Sequence, residues 1–285
     1  MTETLVVKAR IAATVDRVHR AITDPVELRA WLADNAESDA DTFSFWGPTV
    51  LEGDKPHQTL TRVSATELVF HWDLGGEDST VEITLAPVGE ETSLTLSQSH
   101  FPGWAAAAVG EGGALGQVGT WWSLTIANLV EHVEGRELTP RADFTSSDLS
   151  AVVDIAASAE DIYDAMVNPA RFAEWFGYPV GIEPRVGGKW AMGGLENNPH
   201  PATITRLEPG RGMTIDFGTG FGVTSWELEE SGGRTRLSFS QSGFDVERTP
   251  YGGWLGWLSG LAELRRYVEQ GQNWRSTWVD LVMPA

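Results

Sequence analysis

The chain repeats itself. Residues 11–32, IAATVDRVHRAITDPVELRAWL, lie without a gap over residues 155–176, IAASAEDIYDAMVNPARFAEWF, with Ile11/Ile155, Ala21/Ala165, Pro25/Pro169 and Trp31/Trp175 identical. The register persists: LTRV at 60–63 falls over ITRL at 204–207, and SQS at 97–99 over SQS at 240–242, one residue out of step. Near the end of each copy Leu129 stands over Leu264 and Val133 over Val268. Self-similarity at this spacing means one folding unit used twice, and 285 residues suit two domains of common size. The expected division is a first domain over 1–138, a linker over 139–147 (TPRADFTSS), a second domain over 148–271 and an extension over 272–285.

Each copy has the same order of elements. A β-branched, alternating strand opens it, at 5–11 and 149–155. A pair of short helices follows, with Asp24-Pro25 and Asn168-Pro169 placing an N-cap residue before Pro at the first helical position, and Ser158 with Asp161 resembling a capping box. Period-two strands occupy the middle: Leu68, Phe70 and Trp72 share a face, as do Leu94, Leu96, Gln98 and His100, then Met213, Ile215 and Phe217, and Leu237, Phe239 and Gln241. An amphipathic helix closes each copy. In the second it runs from Thr249-Pro250 to Gly271 with Trp254, Trp257, Leu258, Leu261, Leu264 and Val268 on one stripe; in the first Trp122, Ile126, Leu129 and Val133 do the same. This order predicts an α+β fold: two tandem helix-grip domains, each a curved antiparallel sheet wrapped around a long C-terminal helix, with two short helices beside it.

Composition removes several classes of function. There is no cysteine, so no disulfide, thiolate ligand or cysteine nucleophile. A net charge of −20 repels nucleic acid and anionic surfaces, so no nucleic-acid partner is expected. Apolar runs fall far short of the ~20 residues of a membrane span, and no signal-peptide pattern follows Met1, which predicts no membrane insertion and a cytoplasmic location. The six histidines are scattered without metal-binding spacing, and no P-loop, nucleophile elbow or dinucleotide fingerprint occurs, so neither metal nor cofactor is expected.

The D/N-P helix starts, the AWL and EWF tryptophans, the EPRVGGKW segment at 183–190 and the final PYGGWLGWLSGLAELRRYVEQG helix resemble the START/birch-pollen-allergen helix-grip superfamily. The branch is similar to the one named for homologues of the heat-shock ATPase activator. The first copy departs from the pattern, lacking a VGGKW hairpin and inserting AAAAVGEGGALGQVG at 105–119 before its last helix. What the resemblance implies is a cavity between sheet and final helix, used across the superfamily for lipids, sterols, hormones or polyketides. Some members cyclise aromatic polyketides. Relatives in antibiotic producers confer resistance to enediynes, in which a glycine Cα–H yields hydrogen to a diradical; Gly112 and Gly113 are candidates for that role here.

Thirteen tryptophans bear on such a cavity, because an aromatic box suits a flat, unsaturated ligand. The competing reading is that Trp31, Trp175 and most of the others simply fill two cores. The expected lining is Phe70, Trp72, Leu96, Gln98, His100, Trp121, Trp122 and Ile126 in the first copy. In the second it is Trp190, Phe217, Trp226, Phe239, Gln241, Trp254, Trp257, Leu258 and Leu261. Gln98 and Gln241, at equivalent inward positions, each need a partner, whether ligand, backbone or water. His100 is the candidate acid–base group, although its counterpart is Gly243. Residues 110–119 read as a flexible flap over the first pocket or as a plain surface loop. Trp274, Trp278 and Leu281, at near-helical spacing, read as packing across the domains or as a homodimer contact. The favoured function is non-catalytic binding of a hydrophobic, aromatic or polyketide-type molecule as carrier, sequestering or self-resistance protein. The alternatives are a polyketide cyclase/aromatase-like enzyme and a co-chaperone-like protein-binding regulator.

Overall fold

The computed structural model describes residues 2–218 and 220–279, and the chain divides into two compact units. The first takes the described residues up to Thr145, together with Tyr251–Ser259 and those from Thr277; the second takes Ser146–Pro250 and Gly260–Ser276.

The first unit opens with β1 (Glu3–Ile11), α1 (Val15–Thr23) and α2 (Pro25–Trp31). Next come β2 (Asn35–Ser38), β3 (Phe43–Trp46), β4 (Gln58–Ser64), β5 (Glu67–Leu74), β6 (Glu77–Val88) and β7 (Glu91–Phe101). It ends with α3 (Trp104–Ala108) and α4 (Gly113–Val133). Its main sheet is antiparallel in the order β1-β7-β6-β5-β4, with β2 and β3 forming a separate ribbon. The second unit runs β8 (Leu149–Ile155), α5 (Ala159–Val167), α6 (Pro169–Phe176), β9 (Val180–Ile182), β10 (Lys189–Met192) and β11 (Ala202–Glu208). Then follow β12 (Gly212–Asp216), β13 (Val223–Ser231), β14 (Arg234–Ser242) and α7 (Tyr251–Gln270). Its sheet has the order β8-β14-β13-β12-β11-β10-β9. In both units the first strand pairs with the last, which is how a meander with one helical excursion closes on its own beginning.

The identities of the repeat mark hydrogen bonds that both copies make. Trp31 Nε1 donates to the Ala21 carbonyl at 2.9 Å, and Trp175 Nε1 to the Ala165 carbonyl at 2.9 Å, pinning each helix pair at its corner. Thr92 Oγ1 donates to the Ala13 carbonyl and Thr235 Oγ1 to the Ala157 carbonyl, both at 2.7 Å. The helix starts follow the sequence rule: Asp24 accepts from the Val26 and Glu27 amides, Asn168 from those of Ala170 and Arg171. Ser158 makes only half of a capping box, accepting from the Asp161 amide while the Asp161 carboxylate turns to Arg171.

Three expectations need correction. The first copy does have a hairpin where VGGKW stands in the second: β2–β3 pairs Ala36 with Phe45 as β9–β10 pairs Ile182 with Trp190. It was hidden because its strands share geometry but no motif. Second, most of residues 110–119 is not a flexible flap but helix: 113–119 form the first two turns of α4. Gly119 serves close packing, since a Cβ there would stand 2.6 Å from the Trp104 ring. Gly112 and Gly113 are exposed at the helix start with φ of 87° and 57°, a backbone that glycine tolerates best. Third, the C-terminal segment is not helical at Trp274 and Trp278. After a 3₁₀ turn at Gly271–Asn273 the chain extends along β1, where the Arg10 amide donates to the Thr277 carbonyl at 2.8 Å and the Val279 amide to the Lys8 carbonyl at 3.0 Å. The open edge of β1 supplies the unpaired backbone groups that capture it. Leu281 lies outside the described residues.

Candidate ligand sites on the two sheets

On the first sheet the inward residues of β5 meet the ribbon and α4 in one aromatic cluster. Trp72 contacts Phe45, Trp121 and Trp122 at ring-centroid distances of 5.2, 5.2 and 6.0 Å; Trp121 and Trp122 are 4.7 Å apart, and Phe70 lies 4.9 Å from Phe43. All are buried, as are Leu96 and Ile126. Phe43 and Phe45 were missed from sequence, because a four-residue strand of FSFW gives no alternation to read. The cluster carries a polar thread. Trp122 Nε1 donates to Gln98 Oε1 at 2.6 Å, Gln98 Nε2 to Ser79 Oγ at 2.9 Å, and Ser79 Oγ to the Trp72 carbonyl at 2.9 Å. Gln98 therefore has protein partners at both ends of its amide, and the expected box of the first copy is filled by its own rings. A cavity of about 230 Å³ opens instead beside α1 and the β2–β3 turn, lined by residues including Thr23, Asp39, Phe43 and Leu60; it shares none of the expected lining and is smaller than ordinary ligand pockets.

His100 does not continue the face of Leu94, Leu96 and Gln98. Leu5 pairs with Gln98 but Glu3 with Phe101, so β7 carries one extra residue against β1, a bulge. The extra residue lets Phe101 turn inward, buried beside Trp104 at 5.3 Å, and leaves His100 half-buried with φ of 64°. Gly243, its counterpart, has φ of 74°. The backbone conformation is the shared feature, and the imidazole is an addition to it.

On the second sheet Trp226 and Phe239 lie 4.5 Å apart, both buried. Trp190 contacts Phe217 at 5.5 Å and Phe172 at 6.0 Å. Leu261 is buried; Trp254 and Leu258 are buried and Trp257 half-buried on the turns of α7 that group with the first unit. Gln241 Nε2 donates to the Phe221 carbonyl at 2.7 Å, while Gln241 Oε1 has no hydrogen-bond partner. Thr224, directly across the ladder from Gln241, is fully buried, and its hydroxyl has none either. Thr224 was missed from sequence. The signal lay in the repeat: the residue paired with Gln98 in the first copy is Val81, so a hydroxyl stands where the other copy keeps an aliphatic side chain.

The sequence model of the family described as "Activator of Hsp90 ATPase homolog 1-like protein" matches twice, over residues 12–134 and 156–269. The chain belongs to this family. No curated protein matches it. Among solved structures, DynU16, described as belonging to the dynemicin biosynthetic locus, is similar at 19% identity and a TM-score of 0.38, over 92% of this chain and 97% of that one. CalU16 from Micromonospora echinospora is similar at 23% identity and 0.38, over 48% of this chain and 77% of its own. The Aha1 dimer from Colwellia psychrerythraea is similar at 18% and 0.37, over 44% and 98%. The two matches of the family model fall one on each copy of the duplicated fold described above. Among the described residues no helix is long and apolar enough to cross a membrane.

Proposed function

We propose that this protein binds a hydrophobic, aromatic or polyketide-type small molecule without transforming it, as a carrier, sequestering or self-resistance protein. The observation that carries the reading is the make-up of the buried strand faces. Among the described residues they hold aromatic and aliphatic side chains with a few neutral polar ones (Ser44, Ser79, Thr92, Gln98, Thr224, Thr235, Gln241), while the buried ionisable groups, Glu131, Glu263, Arg265 and Arg266, stand on the long helices α4 and α7. Such a sheet face orients a ligand through one or two hydrogen bonds and itself offers no general acid or base. The first unit, closed by its own rings, serves as a scaffold in this reading. Natural-product biosynthesis is a fitting setting, since flat unsaturated molecules match aromatic walls.

The test is tryptophan-fluorescence titration of the full chain with fatty acids, sterols, planar polyketides and anthraquinones, corrected for absorption, followed by chromatography of the recovered ligand. Saturable micromolar quenching by one class with the ligand returned unchanged is the expected result. Turnover would replace the reading with an enzyme, and no saturable binding by any class would favour protein recognition.

A further inference from the structure

We infer that the second unit is the copy that receives the ligand, and that Gln241 Oε1 and Thr224 Oγ1 recognise it through a hydrogen-bond donor, a hydroxyl or N–H on an otherwise apolar molecule. This rests on the binding reading above and adds where the ligand sits and what it must carry. The first observation is a contrast between equivalent positions. In the first unit the Gln98 amide is engaged at both ends and faces Val81. In the second, the Gln241 amide is engaged at one end and faces Thr224. The orientation of the Gln241 amide is fixed: its NH₂ donates to the Phe221 carbonyl at 2.7 Å, and turning the amide over would set two oxygens against each other. The oxygen is therefore the end left over.

Both groups are deep. Gln241 is 6% exposed and Thr224 0%, on the same buried face as Trp226, Phe239 and Leu237. A buried polar atom without a partner is costly, and here two stand side by side at positions where the sister domain has an amide engaged at both ends and a valine. The chemistry specifies the ligand further. Gln241 Oε1 is an acceptor only, and the threonine hydroxyl accepts or donates. A ligand hydroxyl satisfies the pair by donating to Gln241 and accepting from Thr224. A methyl ether or ketone at the same place leaves Gln241 Oε1 unanswered. The flat rings of Trp226 and Phe239 suit a planar body behind that hydroxyl.

The test uses the full chain and two probes of nearly equal shape, 2-naphthol and 2-methoxynaphthalene, titrated by calorimetry and by amide and indole chemical shifts. Tighter binding of 2-naphthol, by about 5- to 10-fold for one to two neutral hydrogen bonds, with shifts centred on residues 224–241, is expected. Thr224→Val, which installs the residue already used at position 81, is expected to keep the fold and reduce that preference several-fold. Equal binding of both probes, or an unchanged preference in Thr224→Val, overturns the anchor while leaving the binding reading in place. Shifts confined to the first unit overturn the choice of copy. Binding of neither probe overturns both this inference and the aromatic-ligand reading.

Discussion

Glu27 and Arg171 occupy the same position of the repeat with opposite charge. Glu27, on α2, is gripped by Arg17 and Arg20 of α1 and by His132 of α4, whose Nε2 lies 3.1 Å from its carboxylate. Arg171, on α6, reaches Asp161 and Asp164 of α5, both at 2.9 Å, and lies over the ring of Tyr267 on α7 at 5.3 Å. Positions 17, 20 and 27 of the first copy fall over 161, 164 and 171 of the second, and His132 over Tyr267. One clamp tying the helix pair to the long helix has been kept in geometry and inverted in sign.

The inversion makes a direct prediction. Glu27→Arg alone collects three cations on α1 and α2 and is expected to lower stability by about 1–3 kcal/mol, since the site is partly buried and like charges replace pairs. Arg17→Asp with Arg20→Asp in the same chain is expected to recover most of that loss, because the second unit already folds with that arrangement. Urea unfolding of the single, double and triple variants gives the coupling directly; additive effects would show that the clamp contributes nothing as a unit.

Acid should expose the same clamp. Burial pushes the Glu27 carboxyl up, but the hydrogen bonds from Arg17 and His132 and the charges of Arg17 and Arg20 outweigh it and hold the pKa below the usual carboxylate range. A depressed folded value means that the contribution is complete above the unfolded pKa of ~4.3 and fades as pH falls through the folded one. The gap in urea midpoint between the native chain and Glu27→Gln is therefore expected to shrink as pH falls below about 5. A gap that widens below pH ~4 would reverse the assignment.

His100 is predicted to be replaceable with gain. A non-glycine residue at φ of 64° bears a steric cost of roughly 1 kcal/mol, and its Nδ1 is buried without a partner. His100→Gly, which copies position 243, is expected to raise stability by about 0.5–1 kcal/mol in thermal or urea unfolding and to leave small-molecule binding unchanged. Loss of binding would return the imidazole to the site.

The parts of the molecule legible in the sequence are those that local chemistry dictates. Asp24-Pro25 and Asn168-Pro169 start helices because the cap side chain and the missing proline amide solve a local problem, and the alternation of Leu68, Phe70 and Trp72 faces inward because one side of a strand must. His100 was misread because a bulge adds one residue and shifts the alternation beyond it, and nothing in SQSHF announces the left-handed residue. Residues 110–119 were misread because glycine propensity opposes helix, whereas Gly119 is needed for the approach of Trp104. Inwardness of Gln98 and Gln241 was readable; which ends of their amides are engaged depends on Trp122, Ser79 and Phe221, far away in sequence.

The closed state of the first copy can be tested through that same Gln98. Trp122→Phe removes the donor to Gln98 Oε1 and leaves a fully buried oxygen unpaired, and Gln98→Leu leaves the Trp122 N–H in the same position; each is expected to cost about 1–3 kcal/mol. Removing both partners together leaves no orphan, because Ser79 still donates to the Trp72 carbonyl. The double variant is therefore expected to be less destabilised than the sum of the singles by 1 kcal/mol or about that. If the singles add, the Trp122–Gln98 bond is incidental, and the engaged amide of Gln98 no longer distinguishes the first unit from the second.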